Sequence, residues 1–432
     1  MANHANDNDA AAAPFDYKSV RKASAKEILK RIGPGLILTG VVIGPGNITT
    51  SAMMGANFGY QMIWIVIPIA FMAISFMLTA YRLAMLTGLP ILHAIRKYYG
   101  PVASAFCGVA LFLTCFFFTM GNITGTGAGM TLIFGLPWKI GSVIMLAVLM
   151  YMYFSKNVYN KVEKGILVCI IAMIISFYVT LIGVGGPDWG ELGKGLTHWQ
   201  FVEGSLVTAL AYISTNASVT AGIYGTYLGK EKKWQKEDLF NGIMLWDAIA
   251  HVVTVIMISG AIVLVGAIVL NPSGETIKAP AQLASLLVPI MGPAANIIMG
   301  LALLGAGFSS LLGNTQRGMV LLAAGLDKET ALESRLIKWG CLVCIAVAAV
   351  ICYSYGGSPT QLIYIANVLT AVATPVAGLF MCFLIWRKDI NEGYGTPRVL
   401  QICMTISYLF CLVMTVSSLR TSIPKLIASF GG

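Results

Sequence analysis

Gly44-Pro45-Gly46-Asn47, followed by Thr49, Thr50 and Ser51, lies in the middle of an apolar run from about Leu36 to Tyr60. A helix crossing lipid satisfies its own backbone, and a Gly-Pro-Gly break in mid-span frees amides and carbonyls that hydrocarbon cannot satisfy. Such a break must line a protein cavity or hold a solute, as the discontinuous helices of secondary transporters do. For a lone Gly-Pro the alternative is a kink repaired by neighbouring helices, and the polar run after Gly46 favours a site. Where the helix restarts, free amides make the positive end of a half-helix, and Asn47, Thr49 and Thr50 suit its first turn as caps or hydroxyl donors. A second polar interruption, Tyr212-Ile213-Ser214-Thr215-Asn216, falls mid-way through the run 201–228. A half-helix ending before Ser214 would offer free carbonyls and the negative end. One end suits an anion, the other a cation.

Few ionisable groups fall within the apolar runs. Asp247 and His251, four residues apart and so on one helix face, are candidates for proton or sodium coupling, with a satisfied structural pair as the alternative. Ser309, Ser310, Asn314 and Thr315 make one run unusually polar and could line a pathway, bind sodium or hydrogen-bond between helices. Arg317 in the same run could face an anion pathway; snorkelling to the surface is the preferred reading, because the run ends near Leu326. Glu163 and Glu203 sit at helix starts, where the dipole favours a carboxylate and implies little more. The nine cysteines, Cys169 among them, fall in or near apolar runs. Only Cys341 and Cys344 are close together, at a spacing that implies packing.

The elements that must position these residues are membrane helices. Charged residues are 11% of the chain and hydrophobic ones 57%, against about 25% charged in soluble domains. Eleven apolar runs approach or exceed spanning length, near 36–57, 61–87, 103–134, 137–155, 162–184, 201–228, 239–270, 284–323, 334–354, 360–386 and 397–418. We expect a polar cytoplasmic tail over 1–31 and one polytopic domain over 32–432. No signal-peptide pattern is visible in the tail. The tail and alternate loops together carry 22 of the 28 Lys and Arg, including the clusters Lys156/Lys161/Lys164 and Lys230/Lys232/Lys233/Lys236. The bias predicts an amino terminus in the cytoplasm and a carboxyl terminus outside, and a plasma (inner) membrane location is expected. The net charge of +10 reflects this topology and implies no nucleic-acid surface. The two interrupted runs are the first and the sixth, so the spacing predicts two five-helix halves, about 33–184 and 201–386, plus one extra helix. An odd number of helices per half requires the halves to be inverted.

Several motifs then resemble one family. They are Gly33-Pro34-Gly35, Gly44-Pro45-Gly46-Asn47, Gly55-Ala56-Asn57-Phe58-Gly59-Tyr60, Arg82-Leu83-Ala84-Met85-Leu86-Thr87-Gly88, Leu132-Ile133-Phe134-Gly135-Leu136-Pro137 and the segment Ser309–Met319. Together, over most of 33–386, they resemble the Nramp (natural resistance-associated macrophage protein) family. The resemblance implies an all-α, LeuT-like fold and proton-coupled uptake of divalent transition metals. It also implies departures. The family's metal-ligating aspartate matches Gly44, and its Met-Pro-His-Asn matches Ile213-Ser214-Thr215-Asn216. A further histidine matches Thr220, the proton-relay Asp and Glu match Gly121 and Thr124, and a usual glutamine matches Asn367. Asn47 and Asn216 are the side-chain ligands that remain.

A divalent ion needs anionic or soft ligands to offset its dehydration, and two amides with hydroxyls supply neither. The sequence therefore predicts a secondary transporter with altered cargo, a small anion such as bicarbonate, coupled to Na+ or H+. The alternatives are a divalent metal cation (manganese, iron or magnesium) as cargo, or a non-transporting sensor of the same fold, which the short stretch after the last run disfavours. The expected substrate-binding residues are Gly44, Gly46, Asn47, Thr49, Thr50, Tyr212, Ser214, Thr215, Asn216 and Asn367. Asp247, His251, Ser309, Ser310 and Asn314 are the coupling candidates. No nucleophile–base pair implies an enzyme, no bound metal or other cofactor is expected, and a monomer in the lipid bilayer is expected.

Overall fold

The computed structural model describes residues 16–154 and 171–430, and all regular structure among them is helical. The first fifteen residues of the tail, Lys156, Lys161, Lys164, Glu163 and Cys169 lie outside the described residues. Eight helices are long and apolar enough to cross a membrane, and two apolar helices, Trp138–Tyr151 and Ile171–Gly183, are shorter. The first expected span is divided into α1 (Pro34–Val42) and α2 (Pro45–Phe58). Then follow α3 (Val66–Thr87), α4 (Pro101–Phe134), α5 (Trp138–Phe154) and α6 (Ile171–Gly183). The second half opens with another divided span, α7 (Ser205–Asn216) and α8 (Val219–Glu231), and continues through α9 (Ile243–Val269), α10 (Ala295–Gly325) and α11 (Arg335–Ser354). The next span is α12 (Pro359–Leu369) and α13 (Ala373–Trp386), joined by a 3₁₀ turn at Thr370–Val372, and α14 (Arg398–Phe430) is last.

Outward faces of these helices carry apolar stripes at helical spacing. Trp339, Val343, Val347 and Val350 line α11, and Val399, Ile402, Ile406, Leu409, Val413 and Val416 line α14, all exposed. Such stripes on one side of a packed helix are what lipid covers. Inside, small residues set the helix separations, because lipid offers little hydrophobic drive between helices and close van der Waals contact must hold them. A β-carbon on Gly108 of α4 would lie 2.8 Å from the Gly325 Cα of α10, and one on Gly129 would lie 2.7 Å from the Gly300 carbonyl oxygen. This long α4–α10 pair forms one wall around the broken helices. The α2–α9 crossing is as close, with Gly55 against Val263 and Gly266 against Ala52.

Candidate functional site

The first break follows directly from its residues. Gly44 is extended (φ −117°, ψ −179°), Pro45 opens α2, and no side chain caps the first turn. Proline suits that opening position because its missing N–H would be unpaired there in any case. The two glycines make room for neighbours. A β-carbon on Gly44 would lie 2.9 Å from Asn122 Oδ1, and one on Gly46 would lie 2.5 Å from the Asn367 amide. The opposite end of the break is held from α10. Ser310 Oγ donates to the Ile43 carbonyl (3.2 Å) and Asn314 Nδ2 to the Val41 carbonyl (3.3 Å), so both satisfy the last turn of α1. Ser309 is half-buried beside them.

The second break lies later than the sequence suggests. α7 runs through Asn216, and the chain leaves helical geometry at Ala217. Ser218 then caps α8 by accepting the Thr220 amide. The polar residues before the break keep the helix going because they bond to their own backbone. Ser214 Oγ and Thr215 Oγ1 donate to the Ala211 carbonyl, and Asn216 Nδ2 donates to the Tyr212 carbonyl.

The two breaks meet. Asn47 Nδ2 donates to Asn216 Oδ1 at 2.8 Å, and Thr50 Oγ1 lies 3.5 Å from Thr215 Oγ1. Ser214 Oγ also lies 2.9 Å from the Asn367 carbonyl oxygen, its one proton shared between this and the Ala211 carbonyl, while Thr370 Oγ1 donates to Ser214 Oγ (3.0 Å) and ties in the 3₁₀ turn. Thus Gly44, Gly46, Asn47, Thr50, Ser214, Thr215, Asn216 and Asn367 are brought together, all buried. Thr49 is buried nearby in α2, its hydroxyl without a partner. Tyr212 is turned away and donates to Ser259 Oγ on α9. The Asn47–Asn216 bond links two half-helices in a buried setting. A double-mutant cycle of Asn47→Ala and Asn216→Ala in detergent unfolding should give a coupling of roughly 0.6–1.7 kcal/mol. Additive single losses would mean the bond does not join the halves energetically.

Beside this bond is a small cavity of about 10 Å³, close to the space of one water molecule. Gly44, Gly46, Asn47 and Thr215 line it, together with Asn122 and Arg317, which were not among the expected site residues. Arg317 does not snorkel. It lies eight residues before the end of α10, about 12 Å along the axis, and is 1% exposed. The signal for it in the sequence is the i,i+3 spacing to Asn314, whose Oδ1 accepts from Arg317 Nη2.

Asp247 and His251 lie elsewhere and serve α1. Asp247 accepts the Gly33 and Gly35 amides, each at 2.9 Å, and the Tyr81 hydroxyl at 3.1 Å. His251 Nδ1 lies 2.8 Å from Thr39 Oγ1 and 3.0 Å from the Gly35 carbonyl oxygen. Both side chains therefore hold the first half-helix to α9, and neither lines the cavity between the breaks.

A sequence model described as natural resistance-associated macrophage protein-like matches residues 35–421. The chain belongs to the Nramp family. Among relatives of this Nramp chain, the divalent metal cation transporter MntH of Brucella suis biovar 1 is 25% identical over 392 residues, covering 87% of this chain and 84% of the relative. The MntH of Agrobacterium fabrum is 27% identical over 362 residues, covering 79% and 76%. The manganese transporter of Eremococcus coleocola superposes with a TM-score of 0.74 at 18% identity, over 96% of this chain and 91% of that one. Similar, more distant matches to other transporter structures accord with the LeuT-like arrangement of two broken helices, and the fold is the one expected. This Nramp-family transporter has no group of three or more His, Cys, Asp or Glu side chains placed to hold a metal ion among the described residues.

Proposed function

We propose that this Nramp-family protein is a secondary active transporter, alternating access to a cargo bound between its two helix breaks. The observation that supports this most directly is the Asn47–Asn216 hydrogen bond across two mid-span interruptions, beside a buried polar cavity. Free helix ends at such a point are suited to bind an ion and are kept from lipid by the surrounding helices. The names of the relatives favour a divalent metal cation as cargo, and that reading has more support from them than bicarbonate, which none of them names. Coupling to H+ or Na+, and an orientation with the basic loops in the cytoplasm of a plasma (inner) membrane, complete the proposal.

The test is uptake into proteoliposomes under an imposed proton or sodium gradient, with labelled manganese and labelled bicarbonate run side by side. Gradient-driven manganese accumulation is the result the relatives predict. Bicarbonate accumulation without manganese flux would reverse the order of cargoes. Equilibration of either solute without accumulation would rule out secondary active transport of it and indicate a passive pore.

A further inference from the structure

We infer that the cavity between the breaks, one water in size as it stands and widened by movement of its lining when occupied, takes a small planar monovalent oxyanion held by the Arg317 guanidinium; the inference rests on the reading of this cavity as the cargo site and departs from the cation that the relatives' names favour. Arg317 is buried in the protein interior with three nitrogens in different situations. Nε faces Cys115 Sγ at 3.3 Å, Nη2 donates to Asn314 Oδ1, and Nη1 has no partner. Phe118 packs at 5.7 Å from the guanidinium carbon. Among the described residues no carboxylate lies within ion-pair distance of it. A buried cation without a counter-charge is costly, and an anion entering beside it offsets that cost.

Two further features agree on sign. The uncapped first turn of α2 points its positive end toward Gly44 and Gly46, which border the same cavity. Asn122 Nδ2 is a second buried donor without a partner. A planar guanidinium and an amide donor suit the flat oxygen pair of a carboxylate or carbonate. The remaining unmet group among the described residues that line the cavity is an acceptor. Asn216 spends its amide nitrogen on the Tyr212 carbonyl and so accepts from Asn47 Nδ2, which leaves Asn47 Oδ1 unpartnered. An anion that also carries a hydroxyl, as bicarbonate does, can donate to it; nitrate and formate cannot. A divalent cation, by contrast, would meet a guanidinium and no carboxylate, thiolate or imidazole cluster.

The experiment is thermal unfolding of the purified full chain in detergent at one fixed pH, titrated separately with sodium bicarbonate, formate, nitrate and chloride, and with manganese chloride. Saturable stabilisation is expected from bicarbonate, less from formate and nitrate, and none from chloride or manganese. Arg317→Gln should weaken the bicarbonate response by at least ~10-fold, the lower end for one charged hydrogen bond, and Arg317→Lys should keep part of it. If Arg317→Gln does not fold, Asn122→Ala carries the test: it keeps the guanidinium and should weaken binding about 5-fold. The inference is overturned if no oxyanion gives a saturable shift, if the folded variants respond as the parent does, or if manganese stabilises at micromolar concentration. Binding without uptake would sink the transporter reading and leave this one standing. Metal uptake without oxyanion binding would do the reverse.

Discussion

Asp247→Ala is expected to destabilise the protein by ~2–4 kcal/mol and to release α1 from α9. Asp247 sits one turn into α9, fully buried, and its two oxygens take the Gly33 and Gly35 amides and the Tyr81 hydroxyl. The two amides belong to the unpaired start of α1, and removing their acceptor costs about 1–3 kcal/mol for each buried group left without a partner. Partial hydration at half-buried Gly33 keeps the sum at the lower end. Chemical unfolding in detergent gives the energy, and thiol labelling gives the geometry. Thr39→Cys, placed at a 6% exposed position of α1, should react with a polar maleimide faster in the Asp247→Ala background than alone. Equal rates would mean α1 is held in place by something other than this carboxylate.

Gly55→Val is expected to prevent a stable fold altogether. A β-carbon at Gly55 would lie 2.0 Å from the Val263 carbonyl oxygen and 2.8 Å from the Ala267 nitrogen, both backbone atoms of α9. Neither can rotate aside, so α2 and α9 would have to separate along the whole crossing, with a cost of ~3 kcal/mol or more. Gly260→Ala on α9 is the control. Nothing lies within 4 Å of its would-be β-carbon, and the change should be neutral or stabilising by up to about 1 kcal/mol through helix propensity. Size-exclusion profiles and unfolding midpoints of the two variants test the contrast. A monodisperse Gly55→Val with normal stability would show that the crossing can repack.

Much of the architecture was legible in the residues because glycine and proline act through the backbone itself. Gly44-Pro45-Gly46 breaks the first span where the sequence places it, since no neighbour can restore the hydrogen bonds that proline and the extended glycine remove. The second break was two to four residues out for a physical reason. Ser214, Thr215 and Asn216 look like breakers when read by polarity, yet each satisfies itself on the preceding turn and carries the helix to Ala217. Arg317 was misread because snorkelling depends on depth in the membrane, and depth depends on where α10 ends and what surrounds it. Asp247 and His251 were legible as a polar face of one helix. Their partners, Gly33, Gly35, Tyr81 and Thr39, lie more than 150 residues away in sequence and emerge only in the fold.

The two pieces of the first broken helix are fastened to the same partner, each through close glycine contact and one with hydrogen bonds besides. α2 meets α9 through backbone contact at Gly55 and Gly266, a rivet made of shape that water cannot replace. α1 meets α9 through one such contact as well, a β-carbon on Gly35 lying 2.5 Å from the Asp247 carbonyl oxygen, and adds the Asp247 and His251 hydrogen bonds, a latch over the same joint. Parting α1 from α9 at the break therefore means releasing that latch first.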